Sequence, residues 1–195
     1  IFVGGLDATW EGEESNEMRS KNGVEGFFGG DRTKIELPEV QLNALKAINK
    51  TGTPVVFVLL AGGAISFNGL EQELDGILAA WYPGQRGGDA IADVLFGNYN
   101  PAGRLPVTFY SSTNELADFE DYNMRAGNGF TYKYFNGSTL YPFGHGISYT
   151  KFKYSDLTIN KKKLNNSDEV FVSVNIKNVG ELDGEEVVQL YVKDL

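Results

Sequence analysis

Thr53–Gly63, TPVVFVLLAGG, holds an unbroken apolar run from Val55 to Leu60, with valine at Val55, Val56 and Val58. A strand with one wet face alternates polar and apolar residues. A run without alternation fits a strand buried on both faces, as in a parallel sheet covered by helices. Immediately upstream, LPEVQLNALKAINKTG (Leu37–Gly52) has Pro38 where a first helical turn tolerates it. Leu42, Leu45 and Ile48 follow at intervals of three, and Gly52 sits at a C-terminal stop. Downstream, GILAAWYPG (Gly76–Gly84) repeats the apolar run, and GGDAIADVLFGN (Gly87–Asn98) reads as a short helix closed by Gly97. GRLPVTFY (Gly103–Tyr110) is a further candidate strand. This alternation predicts an α/β fold over residues 1–110: an open, mostly parallel sheet flanked by helices.

Beyond residue 110 the composition changes. Residues 111–152 are rich in turn formers and aromatics and read as an interdomain segment. From residue 153, KYSDLTI (Lys153–Ile159), DEVFVSVNIKNVG (Asp168–Gly180) and EEVVQLYVKD (Glu185–Asp194) alternate with a period of two between polar turns. That pattern predicts three strands of a partial antiparallel β-sandwich over residues 153–195. IFVGG at the start reads as the tail of a strand already in progress, so the chain is expected to be a segment of a longer polypeptide.

The 195 residues carry 17 basic and 26 acidic side chains, for a net charge of −9. That surface disfavours nucleic acid and anionic membranes as partners, and no apolar run is long enough to span a bilayer. Without cysteine there is neither a disulfide framework nor a thiolate metal site, and a single histidine, His145, rules out a His-rich one. No cofactor is implied. PGQRGGDAIADVLFG (Pro83–Gly97) places glycines before a helix but lacks the lysine and hydroxyl residue of a phosphate-binding loop.

The chemistry concentrates in DATWEGEE, Asp7–Glu14, where Asp7, Glu11, Glu13 and Glu14 crowd around Trp10. Like-charge repulsion and an apolar wall both favour a protonated carboxyl near neutral pH, which is what a proton donor needs. A solvated acidic surface loop is the other reading, and the residues alone leave both open.

Four blocks together resemble glycoside hydrolase family 3: GGLDATWEGEE followed by GGDRTKIELPEVQ, PVVFVLLAGG, ILAAWYPGQRGGDAIADVLFGNYNPAGRLPVTFY, and LYPFGHGISYTKFKYSDL. The resemblance covers essentially the whole chain and implies the family's α/β-sandwich domain followed by the start of a fibronectin-III-like domain. It further implies a retaining exo-β-glycosidase whose nucleophilic aspartate lies on a (β/α)8 barrel outside this chain. The chain would supply the loop with the general acid/base glutamate and would be inactive alone.

Glu11-Gly12-Glu13 with Asp31-Arg32 downstream is similar to the paired-glutamate loop of xylosidase-like members, although the Glu14–Asp31 spacing is longer. By that resemblance Glu13 is the acid/base, with Glu14 and then Glu11 as alternatives. The implied activity is β-xylosidase on plant-polysaccharide oligosaccharides, or β-glucosidase. A non-catalytic accessory or assembly module is the reading from another class. The implied partners are an oligosaccharide and the rest of the same polypeptide, in a secreted or periplasmic setting. No substrate-binding residue is assigned.

Other residues carry structural expectations. Asp31 and Arg32 are expected to pair and brace the loop, and His145, flanked by glycines, to cap the turn between domains. Gly87 and Gly88 are expected to permit close helix–sheet packing, and Trp81, Tyr82 and Tyr141 to pack rather than to stack on sugar. Asn49, Asn136 and Asn165 lie in sequons that matter only where the source glycosylates.

Overall fold

The computed structural model describes residues 1–11, 25–27, 32–161, 163, 165 and 167–193, apart from the side chains of Thr9 and Glu11. It forms two units: Ile1–Ile91 with Leu105–His145, and Ala92–Arg104 with Gly146–Leu195.

The first unit is built on a parallel sheet of three strands in the order β1-β2-β3: β1 Phe2–Gly5, β2 Val56–Leu60 and β3 Gly76–Ala79. Phe57 lies between Phe2 and Ile77 in register. Phe57 and Val58 point to opposite faces and both are fully buried, so the unalternating run is the central strand, as its composition predicts. After the short helix α1 (Ala8–Glu11), the connection to β2 runs through α2, Glu39–Asn49. Pro38 stands at the N-cap of α2, and Gly52 turns the chain out at φ +75°. Leu42 and Leu45 are buried whereas Ile48 is 36% exposed. Two steps of three residues fall about 120° short of whole turns, so the third member of the spacing leaves the buried stripe. Phe57 meets Phe67 edge to face at 5.5 Å in a core that also holds Leu45 and Ile65.

The candidate strand Gly103–Tyr110 does not extend this sheet. Only β4, Phe109–Tyr110, is strand, and it pairs antiparallel with β5, Thr139–Tyr141. Pro106 has no N–H for a ladder. Its neighbour Leu105 bonds the returning chain instead, donating to His145 O at 2.8 Å and accepting from Gly144 N at 2.8 Å. Helix α3, Gly87–Leu95, forms where expected, and Gly97 turns the chain after it at φ +78°. Gly87 serves a close approach, but to Pro83: an added Cβ would lie 2.3 Å from the ring. Gly88 meets nothing within 4 Å. The aromatic segment also contains α4, Thr131–Tyr134.

A polar strap ties part of that segment down. Leu37 N donates to Ser66 O at 2.9 Å and Ser66 N to Ile35 O at 2.9 Å. Between them, Glu36 accepts from Thr113 N at 2.8 Å and from Thr113 Oγ1 at 2.6 Å. Burial opposes the charged form of Glu36, but the Thr113 hydroxyl and amide hydrogen bonds outweigh it and leave the carboxyl below its ordinary pKa. A lowered folded-state pKa stabilises above the unfolded value, and that contribution is lost as pH falls through the folded one. Thermal unfolding followed from pH 6 to pH 3 should therefore show a shallower acid-side fall in Thr113→Val than in the parent. The variant should already sit about 2–4 °C lower at neutral pH. Parallel acid limbs would refute the assignment.

The second unit carries an antiparallel pair, β6 Phe152–Ile159 and β7 Val172–Asn178, with a register shift between Ser155 and Thr158. Asp156 sits in the shift at φ +54°, and its carboxylate accepts from Asn175 Nδ2 at 2.9 Å. The expected third strand does not form: the described residues 185–193 carry no strand. Alternation supplies two faces, but a strand also needs a ladder partner, and no described segment pairs with this one. Glu186 instead accepts from Arg104 Nη2 at 2.7 Å and from the Tyr154 hydroxyl at 2.7 Å, with the two charged side chains only 11% and 18% exposed. Asn100 ties the unit's two chain segments together, accepting from Ser148 Oγ and Tyr149 N and donating to Asp183 O.

Candidate active-site loop

In open parallel sheets, ligands are met beyond the carboxyl ends of the strands, where the connecting loops gather. Here those ends are Gly5, Leu60 and Ala79. DATWEGEE leaves directly from the first of them.

Its root is tightly held. Gly5 stands at φ +126°, and a Cβ built on it would fall 1.9 Å from Leu60 O, so only glycine fits. Leu6 N donates to the same carbonyl at 2.7 Å, and the Leu6 side chain is buried. The carboxylate of Asp7 accepts from Trp10 N at 3.0 Å, as an N-cap for α1. Trp10 packs against the core with its ring edge-on to Phe27 at 5.9 Å. On the outer side of β1, Gln41 of α2 grips Gly5 twice: Gly5 N donates to Gln41 Oε1 at 2.8 Å and Gln41 Nε2 to Gly5 O at 2.7 Å. The loop after β2 is braced too, by Arg32 Nη2 donating to Ala64 O at 2.8 Å.

The three candidate proton donors are at or beyond this root. The backbone of Glu11 ends α1; its side chain, Glu13, Glu14 and Asp31 lie outside the described residues. The expected Asp31–Arg32 pair therefore stands as an expectation, while Arg32 itself bonds a backbone carbonyl. Among the described residues, no group of three His, Asp or Glu side chains is placed to hold a metal ion.

Of the three aromatics expected to pack, Trp81 and Tyr141 lie against the core. Trp81, at φ +54°, meets Phe109 edge-on at 6.2 Å, and Phe109 leans on Tyr141 at 6.3 Å. Tyr141 stacks on His145 at 4.8 Å. Burial raises the Tyr141 hydroxyl pKa, and the nearby Glu71 charge adds to it. Tyr82 is 45% exposed. His145 braces a turn through its backbone, donating to Pro142 O at 3.1 Å and accepting from Leu105 N. Nothing local in the sequence marks Gln41, Gly5 or the Glu36–Thr113 strap for these roles. The one signal is the glycine pair, Gly4 and Gly5, at a strand end.

Residues 1–149 match the model of the glycosyl hydrolase family 3 C-terminal domain. The chain is 44% identical over 195 residues to a xylan 1,4-beta-xylosidase of Xylanibacter ruminicola, covering 100% of this chain and 21% of that protein. It is 38% identical over 173 residues to the periplasmic beta-glucosidase of Salmonella typhimurium, covering 84% of this chain and 23% of that protein. The structure of a beta-glucosidase from Listeria innocua in complex with glucose superposes with a TM-score of 0.69 at 28% identity, over 92% of this chain and 24% of that one. The chain thus spans about a fifth to a quarter of the length of these relatives. With its motif order, its parallel sheet and the family match over most of its length, the chain belongs to glycosyl hydrolase family 3.

Proposed function

We propose that the chain is part of a retaining exo-β-glycosidase of the β-xylosidase type and that its acidic loop supplies the general acid/base, Glu13. In the first step, an aspartate on another part of the polypeptide attacks the anomeric carbon while Glu13 gives its proton to the departing glycosidic oxygen. In the second, Glu13 takes a proton from water as that water displaces the aspartate, and the sugar leaves with retained configuration. Trp10 and the neighbouring carboxylates raise the donor's pKa in this reading, by desolvation and by repulsion.

The observation that carries the xylosidase form is the 44% identity over all 195 residues to an enzyme named for xylan. The β-glucosidase form is favoured instead by the Salmonella and Listeria relatives. The Salmonella protein's periplasmic address supports a secreted or periplasmic setting. The same reading takes residues 1–110 as part of the α/β-sandwich domain, 111–152 as an interdomain segment and 153–195 as part of a fibronectin-III-like sandwich.

The test is turnover of nitrophenyl β-xyloside, β-glucoside, α-arabinofuranoside and β-N-acetylglucosaminide by the full-length protein. A dominant β-xyloside rate is expected. A dominant β-glucoside rate would replace the sugar and keep the chemistry, and silence on all four would leave an accessory module.

A further inference from the structure

We propose that Gln41 is a positioning residue for the acidic loop: by gripping the last residue of β1, its carboxamide sets where the loop delivers its proton donor. This rests on the function proposed above. Among the described strands, β1 pairs with β2 along one edge, and Gly5 turns its N–H and C=O to the other. At the end of that edge, the N–H and C=O of Gly5 would ordinarily meet a neighbouring strand. They meet one side chain instead, in a reciprocal pair at 2.8 and 2.7 Å, from a helix residue 36 positions away.

The strand is shaped for this grip. A Cβ on Gly4 would stand 2.7 Å from Gln41 Oε1, so glycine there admits the carboxamide. A Cβ on Gly5 would strike Leu60 O, so glycine there admits the turn. The helix does not depend on Gln41 for its seat, because Leu42 and Leu45 already bury its inner face. What Gln41 adds is direction at the point where the loop departs.

From Gly5 to Trp10, the chain has little freedom to absorb an error. Leu6 is bonded to Leu60 O and buried, Asp7 caps α1, and Trp10 is held against Phe27. A tilt at Gly5 is therefore passed along to Trp10 and to the end of α1, from which the acidic loop continues in sequence. Proton donation works only within hydrogen-bond reach, and a displacement of about 1 Å can lower a rate about 10²-fold.

The experiment uses full-length Gln41→Leu and Gln41→Glu and measures kcat/KM, which reports the glycosylation step. Two β-glycosides of the preferred sugar are compared, one with a 2,4-dinitrophenolate leaving group and one with an unactivated sugar leaving group. The first departs without a proton and the second needs one. For Gln41→Leu, kcat/KM on the unactivated glycoside should fall about tenfold to a hundredfold. On the dinitrophenyl glycoside it should stay within about threefold. Gln41→Glu keeps an acceptor for Gly5 N but no donor for Gly5 O, and should fall between Gln41→Leu and wild type. Should Gln41→Leu fail to fold, Gln41→Glu decides by the same comparison. Equal losses on both substrates, or none on either, would overturn the inference. A wild type without turnover on either would overturn the proposed function beneath it.

Discussion

Glu13→Gln in the full-length protein should lower kcat/KM on a β-xyloside with an unactivated leaving group by about 10²–10⁴-fold, the range that a positioned proton donor supplies. Glutamine keeps the shape and loses the proton. With a dinitrophenolate leaving group the loss in kcat/KM should largely vanish, because no proton is needed to expel it. The deglycosylation step would still be slow, so kcat should fall on both substrates. Glu11→Gln and Glu14→Gln should stay within about tenfold of wild type on the unactivated substrate, since charge neighbours tune a donor without replacing it. A wild-type-like Glu13→Gln would pass the role to Glu14 and then to Glu11.

The second large effect is structural and lies at the root of the same loop. Gly5→Ala should destabilise by about 2–4 kcal/mol, combining an unfavourable backbone region with a side chain that has no space. The offending contact is backbone, Leu60 O at 1.9 Å, which cannot swing aside as a flexible side chain would. Thermal unfolding of the full-length variant should begin about 5 °C or more below wild type. Gly52→Ala is the control: φ is also positive, at +75°, but a Cβ there meets nothing within 4 Å. Its expected cost is about 1 kcal/mol, from the backbone conformation alone. Similar melting of the two variants would show that the contact with Leu60 is relieved by movement of β1.

How much of this was legible in the sequence varies with what each element depends on. Val55–Leu60 reads correctly because burial on both faces leaves its mark on every consecutive residue of a central strand. The helix over Leu42, Leu45 and Ile48 reads correctly for the same local reason, although a spacing of three drifts off the helix face by its second step and leaves Ile48 36% exposed. Gly103–Tyr110 and Glu185–Asp194 have strand composition, but strand pairing is a property of two segments. The first is interrupted by Pro106 and bonds the returning chain, and the second finds no partner among the described residues. The acidic loop was visible as a cluster of charges around Trp10. Its grip by Gln41 was not, because nothing local links a helix glutamine to a glycine 36 residues earlier. Tertiary placement created that pair, and only the folded chain displays it.

The most direct test of the central claim is azide rescue in full-length Glu13→Ala turning over 2,4-dinitrophenyl β-xyloside. In this account the glycosyl-enzyme forms readily and then waits, because no base remains to activate water. Azide is already an anion and needs no base, so it can displace the aspartate from the anomeric carbon by itself. The account predicts a kcat that rises with azide concentration and a β-xylosyl azide product identified by NMR. A rate indifferent to azide, with no glycosyl azide formed, would contradict the claim that the Asp7–Glu14 loop carries the acid/base at Glu13.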